Sequence, residues 1–182
     1  MDAKIKTALL GLAFISCLTL AYLENTIFFN SLKEIFANPL LSVGMVFIHN
    51  VLVISLILLG MTFYVEVVLN FLPKREIEHV VLDHPKIFAL IFTAVILLIS
   101  ILRTCMLVYG AVEIQRLGLI ILLSSPNGII EAYGIYLTIK KTLKRTISTG
   151  DLTLIYGLFF IAAIMEVGFA QLLMHIVEAS YY

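Results

Sequence analysis

Charge is what this chain has least of. Only 13% of its 182 residues are Asp, Glu, Lys or Arg, against about a quarter in soluble domains. With 62% hydrophobic residues and a mean hydropathy of +1.09, a water-soluble fold is excluded, and the composition is that of a polytopic membrane protein. The formal net charge is zero, so no nucleic-acid partner is expected. Tryptophan is absent, so an aromatic belt at the membrane surfaces falls to tyrosine. Tyr22, Tyr109, Tyr156, Tyr181 and Tyr182 stand near the ends of apolar runs. The two cysteines, Cys17 and Cys105, lie inside apolar runs at a spacing that matches no metal or redox motif. Strand-like alternation, heptads and low-complexity tracts are all missing. So are a Ser-His-Asp order, a glycine-rich phosphate loop and a paired-glutamate protease motif, so neither an enzyme nor a cofactor is expected.

What is present is a series of apolar runs in one integral membrane domain spanning 1–182. Spans are expected at about 7–23, 50–72, 87–109, 117–139 and 152–177. The fold class is therefore an all-α transmembrane bundle of about five spans. The mixed stretch at 27–48 carries Ile27, Phe28, Leu32, Ile35 and Phe36 at helical spacing and suits an interfacial piece, with Asn38-Pro39 as a stop. The near-uncharged run at 40–72 would make one helix of about 50 Å, too long for a hydrocarbon core of about 30 Å. A break is expected at His49-Asn50, with Asn50 as N-cap and an interfacial or re-entrant segment before it. Pro73 should end span two. The segment 74–86, with His79, Asp83 and His84, reads as a polar loop, and 110–116, with Glu113, as a short connector.

The basic residues set an orientation. With the N-terminus in the cytoplasm, the inner segments hold Lys4, Lys6, Lys74, Arg75, Lys86, Lys140, Lys141, Lys144 and Arg145, and the outer ones only Lys33 and Arg116. That asymmetry supports five crossings in the cell membrane, with the C-terminus outside. A fully re-entrant 117–139 would place the basic loop on the wrong side.

Polar groups inside the apolar runs are the candidate site. Ser125-Pro126-Asn127-Gly128 reads as a helix start within span four: proline suits a first turn, Ser125 can cap the helix before it, and Gly128 permits close approach. Glu131 follows one turn later, near a positive dipole end. A broken helix lining a cavity is one reading, and a proline kink satisfied by its neighbours is the other. Glu166 lies fourteen residues past Leu152, about 21 Å into its span, and Arg103 sixteen past Ile87, about 24 Å. Their matched depth makes an Arg103–Glu166 ion pair the expected arrangement, with snorkelling of Arg103 as the alternative. Glu66 should meet Lys74, Arg75 or Lys140 at the inner face. A metal site from His49, Glu166 and His175 lacks supporting spacing and is not expected. Asn50, Asn127, Glu131 and Glu166 are thus the polar intramembrane set. A faint echo, Asn50 in 48–53 and Asn127 in 125–130, hints at parallel repeats.

The chain resembles the stage II sporulation protein M family of integral membrane proteins. The likeness rests on Ile48-His49-Asn50-Val51-Leu52-Val53 leading to Leu59-Gly60, on Ser125-Pro126-Asn127-Gly128-Ile129-Ile130-Glu131, similar to the family's Pro-His-Gly-Ile-x-Glu signature, and on Ile161-Ala162-Ala163-Ile164-Met165-Glu166. Asn127 stands where the family usually has histidine, and Tyr109-Gly110 where it often has Asn-Gly. The resemblance implies a multi-pass protein without catalytic activity, in one member a scaffold for wall-remodelling partners. Two functions follow for this chain: a transporter-, channel- or permease-like protein with a polar intramembrane site, or a non-enzymatic membrane scaffold. The lipid bilayer is the partner common to both. Homo-oligomers or membrane-complex partners are compatible with either, since five spans enclose little volume.

Overall fold

The computed structural model describes residues 3–31, 35, 37–72, 76–109 and 114–179, and every regular element in them is helical. The helices whose bounds are described follow in order: α1 (Ala3–Asn30), α2 (Pro39–Phe71), α3 (Glu76–Asp83), α4 (Pro85–Tyr109), α5 (Ile114–Leu143) and α6 (Thr149–Ala179). Among the described residues, Lys4–Phe28, Pro39–Phe71, Pro85–Arg103 and Thr149–Leu172 are long and apolar enough to cross a membrane. The large apolar side chains exposed on them include leucine, isoleucine and phenylalanine, while Glu24, Asn50 and Glu66 on them and Asn127 and Glu131 on α5 are buried. Apolar outside and polar inside is the distribution that lipid selects and water opposes.

Several expected boundaries are corrected. Of the 27–48 piece, the first residues complete α1 and the last open α2, Ile35 and Ala37 between them are helical, and 32–34 and 36 lie outside the described residues. No break occurs at His49-Asn50. The cap of α2 is Asn38, whose extended backbone (φ −122°, ψ 107°) precedes Pro39 and whose Oδ1 accepts from the Leu40 and Leu41 amides at 3.1 and 3.3 Å. The 33-residue helix runs unbroken past Asn50, which puts that side chain in the interior instead of at an end. The stretch read as a polar loop contains α3, and His79 sits on it with Nε2 buried and without a partner among the described residues. The expected stop at Pro73, the residues Lys33, Lys74 and Arg75, the 110–113 connector with Glu113, and Tyr181 and Tyr182 lie outside the described residues.

Helix α1 lies antiparallel on α2. Phe14 packs where a Cβ on Gly60 would be 3.1 Å away, and Phe63 does the same at Gly11, also at 3.1 Å. Small residues let the backbones close and the two rings fill each other's gap. Helix α2 then packs on α5 and α6, and α5 sits between α4 and α6. At one end of the bundle Glu66 accepts from Lys6 at 2.8 Å, Arg145 at 3.2 Å and Asn70 at 2.8 Å. Lys6 reaches Glu66, for which Lys74, Arg75 or Lys140 was expected, because the antiparallel pairing sets the first turn of α1 against the last turns of α2. Lys140 lies instead 5.2 Å from the Tyr136 ring. Arg145, at φ 55°, terminates α5 in the left-handed region. Ser148 and Asp151 then form a capping box for α6: the Asp151 amide donates to Ser148 Oγ at 3.2 Å and the Ser148 amide to Asp151 Oδ2 at 3.0 Å.

Two apolar clusters divide the interior. Ile54, Ile57, Ile135, Ile139, Ile155 and Phe159 belong to the larger one. Phe28, Ile35, Val46, Ala163 and Val167 form the smaller one. Along α2 the order is Val46, then His49-Asn50, then Ile54, so a polar layer separates the two clusters.

Candidate functional site

Helical spacing assembles that layer. Asn127 and Glu131 are four residues apart on one face of α5, and Ser100 and Arg103 three apart on α4, so each pair points the same way. Helix α1 contributes Glu24, α2 contributes His49 and Asn50, and α6 contributes Glu166. Arg103 Nη1 donates to His49 Nε2, and His49 Nδ1 lies 2.9 Å from Glu24 Oε2. A guanidinium can only donate. His49 Nε2 must therefore accept, so Nδ1 carries the hydrogen and donates to Glu24. One cation and one anion are joined through a neutral imidazole across three helices. The guanidinium also sits 5.4 Å above the Phe28 ring centroid.

Two adjoining cavities open on this layer. One, of about 290 Å³, is lined by Asn25, His49, Asn50, Arg103, Glu131 and Glu166 among others. The other, of about 220 Å³, is lined by Ser124, Ser125, Asn127, Gly128, Glu131 and Glu166 among others. Leu97, Ser100, Glu131 and Glu166 belong to both walls, so the two acids stand at the partition. Each space exceeds what several waters need. Asn50 Nδ2 and Asn127 Oδ1 are buried without a partner among the described residues, on side chains 6% and 5% exposed. Buried amides of that kind are normally satisfied by water or a ligand.

The sequence-derived set is thus gathered at one level: Asn50, Glu131 and Glu166 on the larger cavity, and Asn127, Glu131 and Glu166 on the smaller. Arg103 and Glu166 share the larger cavity, and Arg103 additionally bonds His49. The side chains of His175 and Arg116 lie outside the described residues, and no three His, Cys, Asp or Glu side chains among the described ones are grouped to hold a metal ion. Compared with known proteins, the chain matches no family model, no curated protein and no solved structure. The site therefore has to be read from its own chemistry.

The helix start at Ser125-Pro126 is overturned. Helix α5 is continuous, with Pro126 in its interior. Proline removes the amide that would have bonded the Leu122 carbonyl, and Ser125 Oγ donates to that same carbonyl at 2.9 Å. Ser124 Oγ bonds Ile120 O at 2.6 Å. The serines repair the ladder, so no dipole end faces Glu131. Gly128 does not serve close approach either, because a Cβ there would meet nothing within 4 Å. We expect Ser125→Ala to lower stability by about 1–3 kcal/mol, the cost of an orphaned carbonyl, as read from thermal melts in detergent. In a Pro126→Ala background, where the restored amide takes over, the same change should cost almost nothing. Equal losses in both backgrounds would refute the repair.

Sequence reasoning missed Glu24, Asn25 and the bridging role of His49. A signal existed for the first: Glu24 falls seven residues after Cys17 and four before Phe28, on the buried stripe of α1.

Proposed function

We propose that this chain is a multi-pass membrane protein that moves a small solute through the polar layer, as a transporter, a channel or the permease component of a larger complex. In this reading α5 crosses the bilayer with the four apolar helices. The chain then passes five times, with its N-terminus in the cytoplasm of the cell and its C-terminus outside. The starts of α1 and α4, the end of α5 and the turn that follows it carry Lys4, Lys6, Lys86, Lys140, Lys141, Lys144 and Arg145, which supports that orientation. The observation that carries the transport reading is the placement of Glu131, Glu166 and two unsatisfied amides on adjoining cavities between apolar clusters. Groups that serve only to lock helices together have no need of such space.

The test is flux into proteoliposomes loaded with a pH-sensitive dye and challenged with gradients of sodium, potassium, small ammonium ions and small carboxylates. Glu131→Gln keeps shape and hydrogen bonding while removing the charge. It should cut flux at least about tenfold with little change in melting, the size expected when one charged contact of about 1.4 kcal/mol or more is lost. The second reading, a scaffold of the stage II sporulation protein M type, draws on the Glu24–His49–Arg103 chain, which ties three helices. Under it, Glu131→Gln alters melting or partner capture, and wild-type vesicles carry no flux above protein-free ones.

A further inference from the structure

The charge balance of the polar layer points to a particular ligand, an inference that rests on the transport reading above. Among the described residues the layer sets three carboxylates, Glu24, Glu131 and Glu166, against one guanidinium, Arg103, which is tied to Glu24 through His49 and whose field reaches all three. Glu131 and Glu166 stand together, and two carboxylates on one partition in a lipid-embedded interior do not both stay charged without a counter-charge. The atoms around them on the smaller cavity are oxygens with free lone pairs. Asn127 Oδ1 has no partner among the described residues. The hydroxyls of Ser124 and Ser125 spend their hydrogens on Ile120 O and Leu122 O at 2.6 and 2.9 Å, so toward the cavity they offer acceptors only. An all-oxygen set selects a hard cation. A divalent ion is disfavoured because Arg103 faces the adjoining cavity, which shares both acids, and its positive charge repels a doubly charged ion more than a singly charged one.

We propose that Glu131, Glu166 and Asn127 form a site for one monovalent metal cation, sodium or potassium, taken up in exchange for one proton. The empty pair holds two protons. The occupied pair holds one proton and the cation, and the displaced proton passes to water in the cavity, so charge is conserved. The charged and titratable groups facing the pair among the described residues are His49 from α2 and Arg103 from α4, and Glu24 from α1 stands behind His49. One guanidinium shared with Glu24 cannot offset both acids of the pair, which leaves the pair a proton to exchange.

The purified full chain is melted in sodium, potassium or choline chloride at equal ionic strength and at pH 6, 7 and 8. Sodium or potassium should raise Tm saturably and choline should not, since a ligand bound only to the folded state stabilises it. One-for-one exchange makes the half-saturating concentration fall about tenfold per pH unit below the point where the pair loses its last exchangeable proton. Glu131→Gln should abolish both effects. If that variant does not fold, Gly128→Val serves in its place. Gly128 lines the smaller cavity and a Cβ there meets nothing within 4 Å, so valine puts apolar bulk on the cavity wall and should remove cation stabilisation while leaving the choline Tm in place. Identical responses to all three chlorides, or a half-saturation independent of pH, would overturn the proposal. If identical responses accompany flux that depends on Glu131, cation exchange fails and transport stands. Saturable, pH-dependent binding without flux establishes the site and overturns transport.

Discussion

Arg103→Leu should destabilise the protein by about 3–5 kcal/mol, the range for removing one partner of a buried charged pair. The guanidinium is the only cation that the described residues place in the polar layer. Without it the Nε2 acceptor of His49 loses its donor, Glu24 keeps a charge with no counter-ion, and Glu131 and Glu166 lose the nearest positive field. The stripped Phe28 ring adds a smaller loss. The expected result is aggregation in size-exclusion chromatography or a large drop in Tm. A second change, Glu24→Gln, should recover part of the loss by removing the stranded anion. The swap Arg103→Glu with Glu166→Arg asks whether those two are direct partners: if they are, it should recover expression that either reversal alone abolishes. A wild-type melt for Arg103→Leu would sink the whole arrangement.

The second large effect is steric. A Cβ on Gly134 would stand 2.5 Å from Phe159 Cε2, and Phe159 is only 2% exposed in the larger apolar cluster. No flexible side-chain end is available to yield, because the obstacle is a ring packed on all sides. Gly134→Leu should therefore cost at least about 3 kcal/mol, the upper part of the range for overpacked cores. Phe159→Ala alone leaves a void and costs about 3–5 kcal/mol. Together the two should be less harmful than their sum, by a coupling of about 1–3 kcal/mol in a double-mutant cycle of melts. Additive losses would mean that α5 and α6 do not meet at this point.

Both effects depend on features that the sequence shows unevenly. The helical class, the runs that became α1, α2, α4 and α6, and the inward direction of Glu131 and Glu166 could be read directly, because lipid leaves few ways to hide a carboxylate. The two expected breaks could not. Asn50 and Asn127 have the side chains of good caps, and each stands in a run too long or too polar to look continuous. In each case a remote detail decides the matter. Asn38 and Pro39 start α2 eleven residues or more earlier, and Ser125 replaces the bond that Pro126 forgoes. Propensity describes what a residue can do locally, and here the tertiary environment used both asparagines as cavity walls. Their faint sequence echo marks a shared level in the bundle. Glu24 escaped notice because it borders its apolar run, although the α1 stripe points to it. Among the described residues Glu66 meets Lys6 and Arg145, and Lys6 could not be foreseen because only the antiparallel fit of α1 brings it across.

The exchange of rings and glycines between α1 and α2 has a consequence for motion. Phe14 occupies the notch at Gly60 and Phe63 the notch at Gly11, so sliding either rod along the other would unseat both plugs together. The first two long helices therefore behave as a fixed post. Under the transport reading proposed above, rocking would fall to α4, α5 and α6, with the serine-bridged rung beside Pro126 as the natural pivot.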